Sequence, residues 1–455
     1  MNRIIVGAFV LFALLLAARL CHVHVLWAEE TLPLAAAQEM HAGKTLYRDI
    51  WFDKPPAAAL AAWAVGGHNG AVLRIAGALY CFLCCWLAWG FARDLWSEYA
   101  GLWAAGLLGF FLVFDFPAAA IPLASDLLML APHLAAVWMA SRGRAVLAGA
   151  LAGIAFLVSP KGVLVLAACM LWGAPLPVLA GFAVVTATGA LGLAMSGALG
   201  AYWDEVWRWG SVYAGTTFLE DPLKNGLLRT GNWLGFHAAI VVAAILGLKE
   251  ERRRWLLWIA IGAVGVAAGL RFFPRYYFAV LPPLVLLAAN GMTRFPRRAV
   301  WVALLLAIPA ARFAPTYLEA ARGGWRDTAM DSDSREVGSI LEHESRREDT
   351  LFVWGYRPEI YVYSGLHAAT RYLDSQPLTG VPADRHLTQS APVELEQSKM
   401  HRAELTKAHP EWIVDGLGGY NPKLAITAFP DLRNWLSHYR EAGRTGTTTI
   451  YRRSE

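Results

Sequence analysis

The stretch IIVGAFVLFALLLAARLCHVHVLWAEE, residues 4–30, joins a long apolar run to two adjacent carboxylates, Glu29 and Glu30. Similar apolar runs of about 17 to 25 residues recur along the first two thirds of the chain, and a helix needs that length to cross a bilayer. Of the 455 residues, 56% are hydrophobic and 16% are charged, whereas soluble proteins carry about 25% charged residues. The sequence therefore predicts a polytopic α-helical membrane protein.

The apolar runs predict about eleven transmembrane helices. They lie near residues 4–22, 70–92, 99–116, 122–140, 144–158, 162–173, 175–198, 233–249, 255–270, 276–291 and 297–313. If the N-terminus is cytoplasmic, every strongly basic short loop falls on the cytoplasmic side, as the positive-inside rule requires. The first segment also fits a cleaved signal peptide, but a retained helix is favoured because the orientation pattern needs it. The predicted location is the cell (inner) membrane.

The chain is predicted to form two domains. Residues 1–313 form the transmembrane domain, with outer loops at 23–69 and 199–232, and residues 314–455 form a small soluble extracytoplasmic α/β domain. In the second domain, strand-like runs at 350–355, 360–364, 412–415 and 447–452 alternate with helical patterns at 334–347, 392–408 and 432–442. Its segment WGYRPEIYVYSG, residues 354–365, is predicted to carry Arg357 and Glu359 as an ordinary surface pair, with contact to an acceptor as the alternative.

Several charged residues lie at the predicted outer ends of the spans. Ionisable groups at membrane depth are costly, so they are candidates for function. The acids are Glu29, Glu30 and Asp126, and the cations are Lys54, Lys161, Arg271 and Arg275. Cations beside apolar helix ends suit a phosphate that is carried on a lipid, and a nearby carboxylate can take a proton from an attacking hydroxyl. This set indicates transfer of a group from a lipid phosphate to an acceptor.

The same segments resemble a family. AEETLPLAAAQEM (28–40), HAGK (41–44) and FDKPP (52–56) resemble the first outer loop of GT-C membrane glycosyltransferases, in the bacterial branch related to protein O-mannosyltransferases and the lipid A aminoarabinose transferase. IPLASDLLML (121–130), LAGIAFLVSPKG (151–162) and RFFPRYYFAVLPPL (271–284) resemble later motifs of that family, so the resemblance covers residues 1–313. Two details differ: Glu29 stands where the family usually has Asp, and Lys161 follows a proline instead of preceding one.

The resemblance implies a glycosyltransferase that moves a hexose from a polyprenyl-phosphate donor to a hydroxyl of a lipid, polysaccharide or protein. It implies a catalytic set of Glu29, Glu30 and Asp126, in which Glu29 is the base and Glu30 holds the loop or completes a polar network. It places Asp126 with the acids, and Lys54, Lys161, Arg271, Arg275 and Tyr276 around the lipid phosphate. Helix capping for the glutamates, interface anchoring for the cations and a belt role for the tyrosine stay open as alternatives. A divalent metal ion stays open as a cofactor, with no ligand set assigned.

Two other functions fit parts of the pattern. A transporter or flippase of lipid-linked sugars predicts charges midway through several spans and inverted repeats, and neither is clear. An oligosaccharide ligase or polymerase also uses lipid-linked sugars, but it works around basic residues in a large outer loop. Nothing indicates nucleic acid as a partner. A tryptophan-rich interfacial helix is predicted at AYWDEVWRWGSVYAG, residues 201–215, either as a wall of the site or as a surface anchor.

Overall fold

A computed structural model describes residues 2–217, 219–295, 297, 299–325, 328–383, 386–393 and 395–454. Up to residue 321 these residues are almost entirely helical. The α-helices are α1 (Asn2–Leu20), α2 (Ala28–His41), α3 (Ala57–Ala64), α4 (Ala71–Leu95), α5 (Glu98–Phe111), α6 (Pro117–Ala120), α7 (Ser125–Leu128), α8 (Leu130–Ser141), α9 (Ala145–Val158), α10 (Gly162–Met170), α11 (Pro175–Met195), α12 (Leu199–Tyr202), α13 (Trp209–Gly215), α14 (Pro222–Phe236), α15 (Ala238–Gly247), α16 (Arg252–Ala267), α17 (Leu281–Arg294) and α18 (Ala299–Ala321). A π-helical turn, Trp203–Arg208, joins α12 to α13, and 3₁₀ turns lie at Ala268–Leu270 and Pro274–Ala279.

Among the described residues, four helices are long and apolar enough to cross a membrane: Ala71–Leu95, Pro175–Met195, Arg252–Leu270 and Val300–Ala321. The pair α14 and α15 makes a fifth if its two halves, bent by 79°, count as one span. Other apolar stretches are shorter or broken, as where residues 122–140 divide into α7 and α8. The total of about eleven spans stays a prediction.

Helices α9 and α11 cross at very short range. A Cβ atom built on Gly149 would lie 1.8 Å from the carbonyl oxygen of Val178, and one built on Gly181 would lie 1.9 Å from that of Val146. Small residues allow helix backbones in membranes to approach this closely. Beyond the other end of α9, Ser159 and Pro160 lead to Lys161, which forms the N-terminal boundary of α10.

The chain after residue 328 folds around a five-stranded mixed sheet. Its strands are β1 (Thr350–Trp354), β2 (His367–Ala368), β3 (Trp412–Asp415), β4 (Tyr439–Arg444) and β5 (Thr449–Arg453). They lie in the order β2-β1-β3-β5-β4, with β1 parallel to β2 and β3, and β5 antiparallel to β3 and β4. Its α-helices are α19 (Ala329–Glu344), α20 (Glu359–Ser364), α21 (Gln376–Thr379), α22 (His386–Gln389), α23 (Glu396–Leu405) and α24 (Arg433–Leu436).

Three expectations for this region are wrong. Residues 360–364 form helix α20 instead of a strand, and residues 432–442 contain α24 and the start of β4 instead of one helix. Arg357 and Glu359 are not a surface pair: they are 1% and 4% exposed. Arg357 Nη1 lies 2.8 Å from Asp333 Oδ2, and the Ser334 hydroxyl donates to the Glu359 carboxylate at 2.6 Å. The domain boundary at residue 313 stays a prediction, since α18 continues through it to Ala321.

The sheet region packs directly against the first outer loop. Lys44 Nζ donates to the carbonyl oxygen of Ala368 at 2.8 Å. The backbone N–H of Trp51 donates to the carbonyl oxygen of Arg371, also at 2.8 Å. These contacts hold residues from the last third of the chain over the end of the helical part.

Candidate active site

The two glutamates begin helix α2 and face different surroundings. Successive residues on an α-helix point about 100° apart. The Glu29 side chain is 26% exposed and lies in a cavity. The Glu30 side chain is 1% exposed and points into the protein.

Glu30 holds the loop before α2 together. Its two carboxylate oxygens accept hydrogen bonds from Arg74 at 2.5 and 3.0 Å. They also accept from the backbone N–H groups of Trp27 at 3.1 Å and Leu123 at 3.4 Å. Glu30 therefore lies away from the cavity that contains Glu29, where Arg74 and two backbone N–H groups hold its carboxylate.

The cavity that contains Glu29 has a volume of about 280 Å³. It lies among α2, the loop before α3, α7, the α9–α10 junction, α13 and the 3₁₀ turn Pro274–Ala279. The predicted site residues that line it are Glu29, Lys54, Asp126, Lys161, Arg275 and Tyr276. Segments that are far apart in sequence thus bring acids and cations into one hollow.

Ion pairs connect these side chains. Arg275 lies between the two acids, with Nη1 2.9 Å from Glu29 Oε1 and Nε 3.3 Å from Asp126 Oδ2. Lys161 Nζ lies 3.3 Å from the other oxygen of Asp126. The same ammonium lies 3.2 Å from the centre of the Tyr276 ring, a cation–π contact. Two anions and two cations therefore balance in a wall that stays partly open to solvent.

Lys54 lies at another part of the cavity wall. Its ammonium is 2.9 Å from Asp53 Oδ1, and the Tyr47 hydroxyl donates to its carbonyl oxygen at 2.7 Å. Burial acts to lower the pKa of Lys54, but the nearby Asp53, Tyr356 and Glu29 raise it above its ordinary value. Lys54 is therefore a firmly charged cation.

Arg271 does not line the cavity, although Arg275 does. The helical path is broken here, because Gly269, Leu270 and Phe272 have positive φ values of 75°, 55° and 49°. Arg271 is 0% exposed, and its guanidinium lies 3.8 Å from the centre of the Tyr213 ring, which does line the cavity. The structure thus removes Arg271 from direct contact with a ligand in this cavity.

Several residues that line the cavity are not among those predicted from the sequence. Asp53 precedes Lys54 in FDKPP, Tyr356 lies in WGYRPEIYVYSG, and Trp209 and Tyr213 come from the predicted interfacial helix. That helix is present from Leu199 to Gly215, with a π-helical turn in its middle, and it forms one wall of the cavity. The available signal was the position of these residues beside motifs already singled out.

A buried acid lies behind the cavity wall. Gln376 donates from its backbone N–H to Asp374 at 2.8 Å, and from its side-chain amide to Asp374 at 3.3 Å and to Asp53 at 3.5 Å. Burial, reinforced by the charge of Asp53, raises the pKa of Asp374 to about 7. Asp374 therefore titrates near neutral pH.

No family model and no curated protein matches this sequence. Solved structures do match over nearly the whole chain. ArnT from Cupriavidus metallidurans bound to undecaprenyl phosphate has a TM-score of 0.59 and 16% identity, covering 99% of this chain and 98% of that one. Its apo structure has a TM-score of 0.60 and 15% identity, covering 99% and 97%. The archaeal oligosaccharyltransferase AglB from Archaeoglobus fulgidus, in complex with an inhibitory peptide and a dolichol-phosphate, has a TM-score of 0.52 and 13% identity, covering 99% and 74%.

The chain has the GT-C fold. This fold and the long apolar helices support an integral membrane protein.

A metal ion in this GT-C fold would need a set of ligands. Among the described residues, no three His, Cys, Asp or Glu side chains come together in positions that would hold one ion. Within the cavity, Arg275 lies between the carboxylates of Glu29 and Asp126. The described residues therefore do not fit a metal centre.

Proposed function

We propose that this protein is a glycosyltransferase that moves a sugar from a polyprenyl-phosphate donor to an acceptor hydroxyl at the extracytoplasmic face of the inner membrane. The observation that carries the proposal is the convergence of Glu29, Asp126, Lys161 and Arg275 in one cavity. The GT-C neighbours whose structures contain undecaprenyl phosphate or dolichol-phosphate support a lipid-linked donor. The basic loops of the sequence support the orientation.

The cations of the cavity suit the donor phosphate. Lys161 and Arg275 are bound to carboxylates, and a phosphate oxygen can take the place of a carboxylate oxygen at the same N–H groups. Arg275 offers the planar donor pair that favours phosphate. Together with Lys54, these groups stabilise the negative charge that grows on the phosphate as the sugar leaves.

A neighbouring cavity suits the apolar chain of the donor. It has a volume of about 450 Å³ and shares Arg275 with the site. Most of its lining is aromatic or aliphatic, including Phe116, Trp233, Phe236 and Phe313. A lipid whose phosphate lies at Arg275 would find an apolar surface on this side.

Glu29 is the proposed general base. When the phosphate binds Arg275, the Glu29 carboxylate loses that ion pair and is free to accept the proton of an acceptor hydroxyl. The hydroxyl oxygen forms a bond to the anomeric carbon, and the bond from that carbon to the phosphate oxygen breaks. Its electron pair stays on the polyprenyl phosphate, which leaves. This single displacement predicts inversion at the anomeric carbon.

The test compares the purified wild type with Glu29→Gln, using a labelled polyprenyl-phosphate hexose. We expect the variant to bind the donor and to lose transfer by about 100-fold or more, since general base catalysis contributes about 10² to 10⁴. Glu342→Gln, at an exposed position of α19, is the matched control and should transfer like the wild type. Equal turnover by Glu29→Gln and the wild type would remove the base assignment.

A further inference from the structure

A second cavity, the outer cavity, lies next to the proposed active site. Its volume is about 220 Å³, and it is formed by the outer loop, the helical segment 199–215 and residues of the last third of the chain. Trp209 lines both this cavity and the one that contains Glu29. The two hollows are therefore neighbours that share one indole side chain.

Two tryptophans form an apolar corner in the outer cavity. The ring centres of Trp51 and Trp209 lie 6.0 Å apart, with their planes at 77°. In this edge-to-face contact the edge of one indole covers part of the face of the other, and the parts of both indoles that line the outer cavity are flat and apolar. The C–H faces of a sugar ring are flat and apolar in the same way.

The Trp209 indole also has an unused donor. Trp209 is 9% exposed, and its Nε1–H has no acceptor within the described part of the chain. A buried polar group without a partner is destabilising. Because Trp209 lines the outer cavity, its N–H is a candidate donor to a ligand hydroxyl there.

The polar part of the outer cavity is already ordered. The Glu205 carboxylate accepts from the backbone N–H of Phe52 at 2.8 Å and from the Arg371 guanidinium. Arg371 also donates to the carbonyl oxygen of Tyr47 at 2.5 Å. Because these bonds fix both planar groups, a ligand would meet a surface that needs little rearrangement.

The charges of this lining do not suit a phosphate. Among the described lining residues, the guanidinium of Arg371 is already bonded to Glu205, and Asp204 is paired with Arg208 at 2.9 Å. Gln397 and His401 add neutral groups that can donate or accept hydrogen bonds. A pocket of about 220 Å³ is below the range of about 300–1,000 Å³ for drug-sized ligands, so it suits a single ring.

We propose that the outer cavity binds a neutral saccharide, and that this saccharide is the part of the acceptor next to the group that carries the attacking hydroxyl. The Trp51–Trp209 corner holds the ring faces, and Glu205, Arg371 and Gln397 hydrogen-bond its hydroxyls. Trp209 is the contact between the acceptor and the donor cavity. The acceptor role rests on the proposed function above, whereas saccharide binding does not.

The binding test uses the full chain in lipid nanodiscs and saturation-transfer difference NMR. The probes are the methyl glycosides of glucose, mannose and galactose, with glycerol as the non-ring polyol. We expect at least one glycoside to bind and glycerol not to bind. Trp51→Phe and Gln397→Ala should each weaken that binding by about fivefold or more, the effect of losing about one hydrogen bond or one aromatic contact. Gln389→Ala, at an exposed position of α22, is the matched control and should bind like the wild type.

The outcomes separate this inference from the proposed function. If no glycoside binds, or if Gln397→Ala and Trp51→Phe bind as well as the control, the saccharide site is overturned even when donor turnover is normal. If a glycoside binds in this variant-dependent way but no donor sugar is ever transferred, the site stands and the transferase proposal fails. If both hold, an excess of the glycoside that binds should slow transfer to the acceptor, and Gln397→Ala should weaken this inhibition. An unchanged rate would remove the acceptor role.

Discussion

We predict that substitution of one member of the buried pair of Glu30 and Arg74 greatly lowers the free energy of unfolding. It should not remove a group that takes part in sugar transfer. Both side chains are 1% exposed, and two hydrogen bonds of 2.5 and 3.0 Å join them. Removing one member of such a pair leaves the other charge buried and uncompensated, which costs about 3–5 kcal/mol. We expect this cost for Glu30→Gln, because the new amide keeps the size of the carboxylate but not its charge.

A double-mutant cycle tests this magnitude. Unfolding free energies are measured in mixed micelles for the wild type, Glu30→Gln, Arg74→Met and the double variant. The double variant should be more stable than the sum of the single losses predicts, by about 2–3 kcal/mol, since residues in one ion pair are coupled. Glu342→Gln is again the control. If Glu30→Gln were as stable as the wild type but inactive, Glu30 would act in catalysis and the structural reasoning would be wrong.

Two further predictions concern pH and packing. The pKa of Asp374 is about 7 in the folded state, above its unfolded value of 3.8. Between about pH 4 and pH 7 the folded state therefore holds a proton that the unfolded state has lost. The free energy of unfolding should fall as pH rises through this window. The shift in pKa corresponds to at most about 4 kcal/mol. The free energy of unfolding of Asp374→Asn should vary less between pH 5 and pH 7 than that of the wild type. Equal dependence on pH in the variant and the wild type would contradict the raised pKa of Asp374. Gly149→Ala should lower the free energy of unfolding by about 1–3 kcal/mol, because the new methyl group would meet the Val178 carbonyl. Gly192→Ala should be nearly neutral, since no atom of the described residues lies within 4 Å of a Cβ at that position. Similar effects of the two substitutions would contradict the close crossing.

Much of the cavity lining can be predicted from the sequence, because charged residues are unusual beside membrane-spanning segments. Glu29, Asp126, Lys161 and Arg275 stand out as charges at the ends of apolar runs, where burial is costly without a role. Their common location follows from the orientation of the spans. The partner of Glu30 could not be predicted, because Arg74 lies in a later helix, α4, and only the fold brings it to the carboxylate.

Local composition was misleading at two places. Residues 360–364 are rich in β-branched and aromatic side chains, which favour a strand. The structure makes them helical, and a Cβ built on Gly338 of α19 would lie 2.4 Å from the Cβ of Tyr363, so tertiary packing decides the outcome. Arg271 and Arg275 are four residues apart and would share a face of a continuous helix, but the positive φ values between residues 269 and 272 separate them.

The proposed function depends most on the binding of a lipid-linked phosphate by Lys161 and Arg275. The direct measurement is the Kd of polyprenyl phosphate for the wild type and for the double variant Lys161→Gln/Arg275→Gln in nanodiscs. Each lost charged hydrogen bond is worth about 1.5–3 kcal/mol, so we predict binding about 100-fold weaker. Arg144→Gln, at an exposed position before the other end of α9, should bind like the wild type. An unchanged Kd in the double variant would contradict the account.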